Sequence, residues 1–576
     1  MKRISRFLKP YRKLLIIGPT FKLLEAILEL FLPFFMSKVI DIGVANQDGP
    51  YIIRMGLWML LIAVLGVVFA LICQYSASLV SQGVGTDIRN ALFSHIGSLS
   101  NAEIDALGTA SLVNRITNDV NQLQLAVAML IRLVIRAPFL CIGGLVMSFI
   151  IDPKLSLIVL IVLPIFILIL FLTMKKTIPY YKIVQRNLDK IALILRENLS
   201  GIRVIRAFTR SNYEKERFSK SNKEYEMNAI KVGRVSALLN PLTSLVMNFS
   251  IGAIIWFGGV RVSSGNMTTG GVIAFIGYVT QILAALIVIS NLVVIFTKAY
   301  ASLLRVNEVF DTKTSIVEGE EFVTGDEADY MIEFREASMS YKKGANLSIK
   351  NISFKVKKGE TIGIIGGTGS GKSSLVQLIP RFYDTVDGEV LIKGVNVKNY
   401  KLEQLRKMIS IVPQKSVLFS GTIASNLKMG KEEISLQDMK EATDIAMASE
   451  FIDKLPEGFE TKVNRGGVNF SGGQRQRLTI ARALVTKPEI LILDDSFNAL
   501  DYVTDAKLRK ALKDYRGELT TFIVSQRAST IKDCDQIIVL NEGEIAGIGS
   551  HERLLDRCDV YREICESQEI IEREVG

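Results

Sequence analysis

The first half of the chain consists of long apolar stretches separated by polar links. Six stretches lie at roughly 14–42, 55–80, 128–150, 155–175, 236–262 and 270–297. Each supplies the ~20 apolar residues that a helix needs to cross a bilayer. A buried helix of a soluble protein could imitate one such stretch, but not six in succession. The pattern predicts an all-α transmembrane domain of six helices over residues 1–310.

The links between these stretches alternate in length and charge. The links at 43–54, 151–154 and 263–269 are short and carry few positive charges, whereas those at 81–127 and 176–235 are long and rich in Lys and Arg. Because positive links stay on the cytoplasmic side, both termini and both long links are predicted to be cytoplasmic. The long links keep a helical pattern, so the spans are expected to continue well below the membrane. The chain is thus predicted to be a multi-pass protein of the cytoplasmic (inner) membrane.

The pattern changes after residue 310. Residues 311–330 are acidic and loop-like, which favours a linker. From 331 to 576, short apolar strands alternate with helices, as is typical of an α/β nucleotide-binding domain. The sequence therefore predicts a multidomain protein, with a six-helix membrane domain followed by a cytoplasmic α/β domain.

The composition fits this division. The chain has a net charge of +11, and 49% of its residues are hydrophobic. Positively charged flanks of membrane spans explain such a charge without a nucleic acid, so the lipid bilayer is the expected partner and no nucleic acid is predicted.

A glycine-rich segment, TIGIIGGTGSGKSS, runs from a predicted strand into a predicted helix. It has the spacing of a P-loop, in which backbone amides converge on phosphate oxygens. Lys372 is expected to reach the β- and γ-phosphates of ATP, and Ser373 to bind Mg²⁺. The predicted ATP-binding residues of this loop are Gly366, Gly367, Thr368, Gly369, Ser370, Gly371, Lys372, Ser373 and Ser374.

A second strand, in EILILDD, is continuously apolar and ends in two acids. This is the Walker B pattern, and it predicts that Asp494 holds Mg²⁺. Between the two strands lies NFSGGQRQRLTIARAL, in which a helix opens with Ser471, Gly472, Gly473 and Gln474. A helix N-terminus of this kind is again suited to an anion.

With this motif the chain resembles the ATP-binding cassette family, whose signature it is, and the resemblance covers almost the whole chain. It implies that Tyr341 stacks on adenine, that Gln414 is the Q-loop contact to Mg²⁺, and that Asp501 is the D-loop aspartate. Six spans before one cassette resemble the exporter branch of the family. There, each ATP lies between the P-loop of one cassette and the signature of another, so the resemblance implies a second half-transporter as partner.

The chain departs from the family at two catalytic positions. Asp495 stands where the family usually has the glutamate that polarises the attacking water, and Gln526 stands where it usually has the switch histidine. Loss of a methylene withdraws the carboxylate by ~1 Å, which can cost on the order of a hundredfold in rate. The pattern resembles the degenerate-site half of bacterial heterodimeric multidrug exporters. It implies that the chain binds ATP, hydrolyses it poorly, and supplies its signature to a competent site on its partner.

The resemblance predicts an ATPase-coupled exporter of amphiphilic molecules such as drugs, lipids or peptides. Three alternatives stay open: a homodimeric exporter with two slow sites, an ATP-gated channel, and a siderophore-type importer on the same fold.

Charged residues within the predicted spans have two possible roles. Lys22, Glu25 and Glu29 share a helical face in the first stretch, and Arg132 and Arg136 do so in the third. Such charges should face the protein interior or water. They indicate either a site for cationic substrates or a gating network, or else structural ion pairs between the two spans.

Overall fold

The structure is a computed structural model that describes residues 6–319, 328–341, 344–430, 433–515 and 518–575, the last seven of these by their backbone alone. By its internal contacts it divides into two units. The helical unit comprises Met1–Gly97 and Ala110–Thr312, and the α/β unit comprises Ser98–Thr109 and Lys313–Gly576. Residues 320–327 of the predicted linker lie outside the described residues.

Long helices make up the helical unit, and short ones lie in the links between them. In chain order the α-helices are α1 (Arg12–Lys38), α2 (Gly49–Gly97), α3 (Asn101–Leu107), α4 (Thr109–Asn114), α5 (Val120–Arg132), α6 (Arg136–Ile151), α7 (Pro153–Ser200), α8 (Ile202–Ala207), α9 (Ser211–Ala237), α10 (Leu239–Ser263) and α11 (Thr269–Asp311). Helix α2 has 49 residues and α7 has 48, so each extends far beyond its apolar stretch.

Five stretches of the described chain are long and apolar enough to cross a membrane. They are Gly49–Gly97, Thr109–Ile151, Pro153–Ser200, Ser211–Ser263 and Thr269–Asp311. The sequence predicts six spans; α1, at the position of the first, falls outside this set because Lys22, Glu25 and Glu29 interrupt its apolar face. The predicted stretch at 128–150 is not one continuous helix, because residues 133–135 separate α5 from α6. The sequence pattern predicts that Arg132 and Arg136 share a face of one helix. The structure instead places Arg132 at the end of α5 and Arg136 at the start of α6.

Polar contacts connect the long helices of this unit. The Tyr278 hydroxyl on α11 donates to the Leu30 carbonyl on α1 at 2.9 Å. The Asp152 carboxylate caps α7 by accepting from the amides of Lys154 and Leu155, and it pairs with Arg261 of α10. Because these groups are buried or partly buried, their pairing removes a desolvation cost and fixes how the helices align.

The described part of the α/β unit has two large sheets and one two-stranded sheet. Its strands are β1 (Ile332–Met339), β2 (Ile349–Val356), β3 (Thr361–Gly366), β4 (Asp387–Ile392), β5 (Val395–Asn396), β6 (Ile409–Val412), β7 (Gly421–Thr422), β8 (Lys462–Val463), β9 (Ile490–Asp494), β10 (Thr520–Val524), β11 (Gln536–Asn541) and β12 (Glu544–Gly549). The order β12-β11-β3-β10-β9-β6 forms a six-stranded sheet that is parallel except at β12, and β2-β1-β4-β5 forms an antiparallel sheet.

The helices of this unit surround the parallel sheet. They are α12 (Lys372–Leu378), α13 (Leu402–Met408), α14 (Ile423–Leu427), α15 (Leu436–Ile445), α16 (Ser449–Ile452), α17 (Gly472–Leu484), α18 (Tyr502–Asp514), α19 (Ala528–Ile531), α20 (His551–Arg557) and α21 (Asp559–Val575). Alternate residues of β9 point into different cores: Ile490 and Ile492 face the antiparallel sheet, and Leu491 and Leu493 face the helices. Burial on both faces explains why this strand is continuously apolar.

The tip of the first long link belongs to the α/β unit. Tyr383 donates its hydroxyl to the Asp105 carboxylate of α3 at 2.8 Å, and the hydroxyls of Ser100 and Ser315 lie 3.0 Å apart. The domain boundaries predicted from the sequence place this segment in the membrane domain. Helix α3 is only seven residues long and carries no periodic signal that would have separated it.

A buried carboxylate within the helical unit gives a test of its packing. Asp119 is 3% exposed, and it accepts hydrogen bonds from the Arg305 Nε and the Ser302 hydroxyl at 2.8 Å each. Replacing Asp119 with Asn removes the charge that Arg305 faces, and hydrogen bonds to charged groups contribute about 1.5–3 kcal/mol. We expect the apparent unfolding temperature of the detergent-solubilised protein to fall by several degrees.

The matched control is Asp189→Asn, at an exposed carboxylate that bonds only to Gln185 one turn away among the described residues. It should leave the unfolding temperature unchanged. Equal effects of the two substitutions would contradict the structural role of Asp119.

Candidate functional site

Three neighbouring parallel strands end at one edge of the six-stranded sheet. β3 ends at Gly366, β9 at Asp494 and β10 at Val524. Val524 is in register with Asp494 on one side and with Ile364 on the other. This edge is where ligands bind in open α/β sheets. The register therefore brings the glycine loop, the two acids and the residues after β10 together.

A cavity of about 540 Å³ lies at this edge. Sequence-predicted residues make up most of its lining: Tyr341, Thr368, Gly369, Gly371, Lys372, Ser373, Ser374, Gln414, Asp494, Asp495 and Gln526. Residues not predicted from the sequence also line it, namely Asn346, Leu347, Ser348, Val524 and Glu542. Gly366, Gly367 and Ser370 belong to the same loop but do not line the cavity.

The glycine loop takes a conformation that side chains would prevent. Gly371, immediately before α12, has a φ of 99°. A Cβ at this position would lie 2.8 Å from the Ile349 Cδ1 and 2.9 Å from the Ser348 carbonyl oxygen. Only glycine fits both the backbone and the space, so the loop between β3 and α12 keeps its tight curve.

Lys372 is held against this loop. Its ammonium donates to the carbonyl oxygens of Gly366 and Gly367 at 2.8 Å each. Burial lowers the pKa of Lys372, while the nearby carboxylates of Asp495 and Asp494 act in the opposite direction. The cation is thus placed in a partly desolvated site, where its attraction for an anion is stronger than in water.

Ser373 and Asp494 form an oxygen pair suited to a hard cation. The Ser373 hydroxyl donates to the Asp494 Oδ1 at 3.0 Å. Burial raises the pKa of Asp494, and the adjacent Asp495 charge adds to this effect. A divalent cation would favour the ionised form, and a hydroxyl with a carboxylate is a donor set that Mg²⁺ accepts. No cluster of three His, Cys, Asp or Glu side chains offers another metal site among the residues described.

Asp495 is held by two amides. Its Oδ2 accepts from the Gln414 Nε2 at 3.1 Å, and its Oδ1 accepts from the Asn498 Nδ2 at 2.6 Å. Its backbone φ is 52°, a left-handed conformation that Asp tolerates better than most residues. Both carboxylate oxygens are therefore already engaged by the chain itself.

The segment after β10 is held from the C-terminal helix. Gln568 of α21 donates its Nε2 to the Gln526 carbonyl at 2.7 Å and accepts from the Ala528 amide at 2.8 Å. The buried Tyr561 and Cys565 lie on the same helical face as Gln568, at spacings of seven and three residues, and anchor it to the core. The Gln568 side chain thus holds the backbone at Gln526, which lines the cavity, and at Ala528.

Tyr341 lies at the cavity's edge and is 42% exposed. Its hydroxyl lies 2.8 Å from that of Ser374, and its ring meets that of Tyr383 edge-on, with centroids 5.0 Å apart. Burial and the Asp105 carboxylate raise the pKa of Tyr383, which keeps this phenol neutral.

The signature residues lie outside the cavity. Ser471 and Gln474 form a reciprocal cap on α17: the Ser471 hydroxyl accepts from the Gln474 amide, and the Gln474 side chain accepts from the Ser471 amide. Gly472 is exposed, and a Cβ built on it meets nothing within 4 Å. Asp501 caps α18 by accepting from the Thr504 amide at 2.8 Å. The helix start that carries Gly472 thus lies outside the cavity that the chain's own phosphate loop lines.

Besides the five unpredicted lining residues, sequence reasoning missed three residues that contact the site. Asn498 lies three positions after Asp495, and that spacing could have drawn attention to it. Tyr383 and Gln568 belong to no motif, and only the tertiary structure shows that they contact the site.

The Gln568 contact can be tested directly. Gln568→Ala removes the acceptor of the Ala528 amide, and a hydrogen bond contributes roughly 1 kcal/mol. We expect amide hydrogen exchange of the 525–530 segment to rise about fivefold. Ser567→Ala, which changes the neighbouring exposed residue, is the control and should leave this exchange unchanged. Equal exchange in both variants would exclude this role of Gln568.

Comparisons with known proteins agree with this arrangement. Residues 15–286 match the family model for the ABC transporter transmembrane region, and residues 349–498 match the model for the ABC transporter. The first match includes nearly all of α1.

Curated relatives match over almost their whole length. The uncharacterized ABC transporter ATP-binding protein YfiB of Bacillus subtilis is 39% identical, with 99% of this chain and 98% of YfiB covered. The putative multidrug export ATP-binding/permease protein YgaD of the same organism is 30% identical, with 98% of each chain covered.

Among solved structures, a bacterial Atm1-family ABC exporter with ATP bound matches with a TM-score of 0.80 at 24% identity, over 97% of this chain and 99% of that one. It shows a shared fold. The chain belongs to the ABC transporter family, with the transmembrane region and the ATP-binding domain in one polypeptide.

Proposed function

We propose that this chain is one half of an ATP-driven exporter of amphiphilic molecules, and that it binds ATP at a site of low hydrolytic activity. The observation that carries the proposal is the division within the α/β unit. The phosphate-binding candidates converge in one cavity, whereas the signature helix presents the exposed Gly472 elsewhere. A chain with this division requires a second cassette to complete each ATP site.

Within the cavity, the loop residues and Lys372 bind the phosphates, and Ser373 with Asp494 holds Mg²⁺. The side chain of Gln414, which lies beside Asp495, completes the Mg²⁺ contacts. When bound, Mg²⁺ neutralises phosphate charge. Tyr341 stacks on the adenine, which fits its partial exposure at the cavity's edge.

Weak hydrolysis follows from the two catalytic positions. Gln526 is an amide and cannot act as a base or carry a charge. Asp495 is one methylene shorter than the usual glutamate, and amides of Gln414 and Asn498 already bind its oxygens. A water beside the γ-phosphate therefore receives little help from this chain, whereas general-base help is worth roughly 10²–10⁴ in rate.

The signature serves the partner's site. Ser471, Gly472, Gly473 and Gln474 form an intact, capped helix start whose amides and hydroxyl can meet the phosphates of an ATP held by another chain. Asp501 contributes from the D-loop next to it. The partner is a related half-transporter that carries Glu and His at the two deviant positions.

Export is supported by the similarity to YgaD, named a putative multidrug export ATP-binding/permease protein, and by the long apolar helices that precede one cassette. The protein is proposed to lie in the cytoplasmic membrane with both termini and the cassette in the cytoplasm, because its long, positive links fall on that side.

The division of labour can be tested in the assembled transporter. Asp495→Asn should lower ATPase activity only modestly, by less than about tenfold, because little general-base help is left to lose. Gly472→Asp should nearly abolish it, since it places a negative charge beside the partner's phosphates. A Cβ added at Gly472 meets nothing within 4 Å, so folding should be unaffected.

The control is Gly233→Asp, on the exposed face of α9, where an added Cβ also meets nothing within 4 Å. It should leave ATPase activity unchanged. If Asp495→Asn is as damaging as Gly472→Asp, Asp495 is a working catalytic carboxylate, and a homodimer with two slow sites becomes the better account.

A further inference from the structure

We propose that a charged cluster within the helical unit binds amphiphiles that carry a single anionic headgroup. The cluster comprises Lys22, Glu25 and Glu29 of α1, Arg132 of α5 and Arg136 of α6. This inference rests on the proposed export function, and it names the substrate class. It also differs from the sequence hypothesis of a cationic substrate.

Two ion pairs account for four of the five charges. The Arg136 Nη2 lies 2.7 Å from the Glu29 Oε2, and the Lys22 Nζ lies 2.7 Å from the Glu25 Oε2. The first pair connects α1 to α6, so the structural role expected from the sequence is present. Arg132 belongs to neither of these two ion pairs.

Arg132 has no ion-pair or hydrogen-bond partner among the residues described, and it is only partly exposed. Its neighbour Ile131 lies where α1 passes closely, since a Cβ on Gly18 would be 2.6 Å from the Ile131 Cγ2 and 3.3 Å from the Ser76 Cβ. Lys22 follows Gly18 by one helical turn. Arg132 is therefore held beside the cluster and gives it a net charge of one positive unit.

Further donor capacity remains on Arg136. Its Nε is buried and has no hydrogen-bond partner, because only the far end of the guanidinium reaches Glu29. A buried donor without an acceptor costs about 1–3 kcal/mol. An anionic headgroup would supply the missing acceptor and the missing negative charge together.

The backbone at the cluster also favours an anion. Pro138 lies in the first turn of α6, and a proline both lacks an amide hydrogen and disfavours helix before it. Helix α6 therefore starts anew at Arg136 after the break at residues 133–135, and the first amides of a helix have no acceptor within that helix. Within a membrane, such a break is tolerated where it is buried in protein or lines a cavity, and half-helix N-termini of transporters point at anionic groups.

The depth of the cluster fits an amphiphile. Arg136 lies fifteen residues before the end of α6 at Ile151, which is ~22 Å at 1.5 Å per residue. The apolar core of a bilayer is ~30 Å thick. The cluster thus lies toward the cytoplasmic leaflet, where a ligand can place its headgroup near the arginines and leave its tail in apolar surroundings. A free carboxylate such as a fatty acid and an anionic phospholipid of that leaflet share this chemistry.

The test is a displacement assay on the assembled transporter in neutral detergent without nucleotide. Fluorescent cis-parinaric acid is the probe, and the competitors are dodecanoate, phosphatidylglycerol, dodecanol and dodecyltrimethylammonium. Displacement by dodecanoate or by phosphatidylglycerol, with the neutral and cationic compounds at least tenfold weaker, supports the inference and identifies which anionic source is preferred. Equal displacement by all four overturns it.

Two variants with opposite expected effects make the test independent of folding. Arg132→Gln should weaken dodecanoate binding about tenfold, since it removes a charge-assisted contact, and leave dodecanol binding unchanged. Glu29→Gln should strengthen dodecanoate binding, because it frees Arg136, and misfolding cannot produce a gain. Lys298→Gln, at an exposed cation of α11, is the control and should change neither.

Unchanged dodecanoate affinity in both Arg132→Gln and Glu29→Gln would overturn the inference. Because the assay contains no ATP and measures no transport, that result would leave the proposed export function intact. Loss of the export function would instead appear in the ATPase comparison of Asp495→Asn and Gly472→Asp.

Discussion

The parallel alignment of β3, β10 and β9 is the constraint on which the site depends. Apolar side chains on both faces of these strands fix their register, which places Gly366, Asp494 and Val524 at one edge. A shift by one residue would exchange the two buried faces, so the loop, the cation ligands and the residues after β10 are positioned by core packing rather than by their own contacts. The chemistry of the chain thus depends on a core that takes no part in it.

In the proposed function, this frame is kept at Asp495 while the catalytic activity is reduced. The scaffold that binds phosphate is complete around Lys372, whereas the carboxylate next to Asp494 is short and bonded to Gln414 and Asn498. The capped signature helix starts outside the cavity. Binding and hydrolysis are therefore separable, and in the proposed transporter they are divided between two chains. In the helical unit, the charged cluster carries one positive charge more than its carboxylates neutralise, and the proposed anionic ligand would supply the missing negative charge.

Sequence pattern was sufficient for the fold class and for most of the cavity's lining, because period and spacing report local structure and short-range chemistry. It failed where tertiary contacts decide. The third predicted span is interrupted at residues 133–135, just before Pro138, although the span as a whole is predominantly apolar. Gln568 reaches the residues after β10 through a helix that follows them by some forty positions in the chain. The assignment of Asn101–Leu107 to the α/β unit depends on single contacts such as that of Asp105 with Tyr383.

The central claim is that this chain's own site holds ATP without hydrolysing it efficiently. The most direct measurement labels the assembled transporter with 8-azido-ATP carrying ³²P at either the α- or the γ-phosphate, allows turnover, and crosslinks each cassette. The account predicts that this chain retains both labels while its partner keeps only the α-label. Loss of the γ-label from this chain at the partner's rate would contradict it.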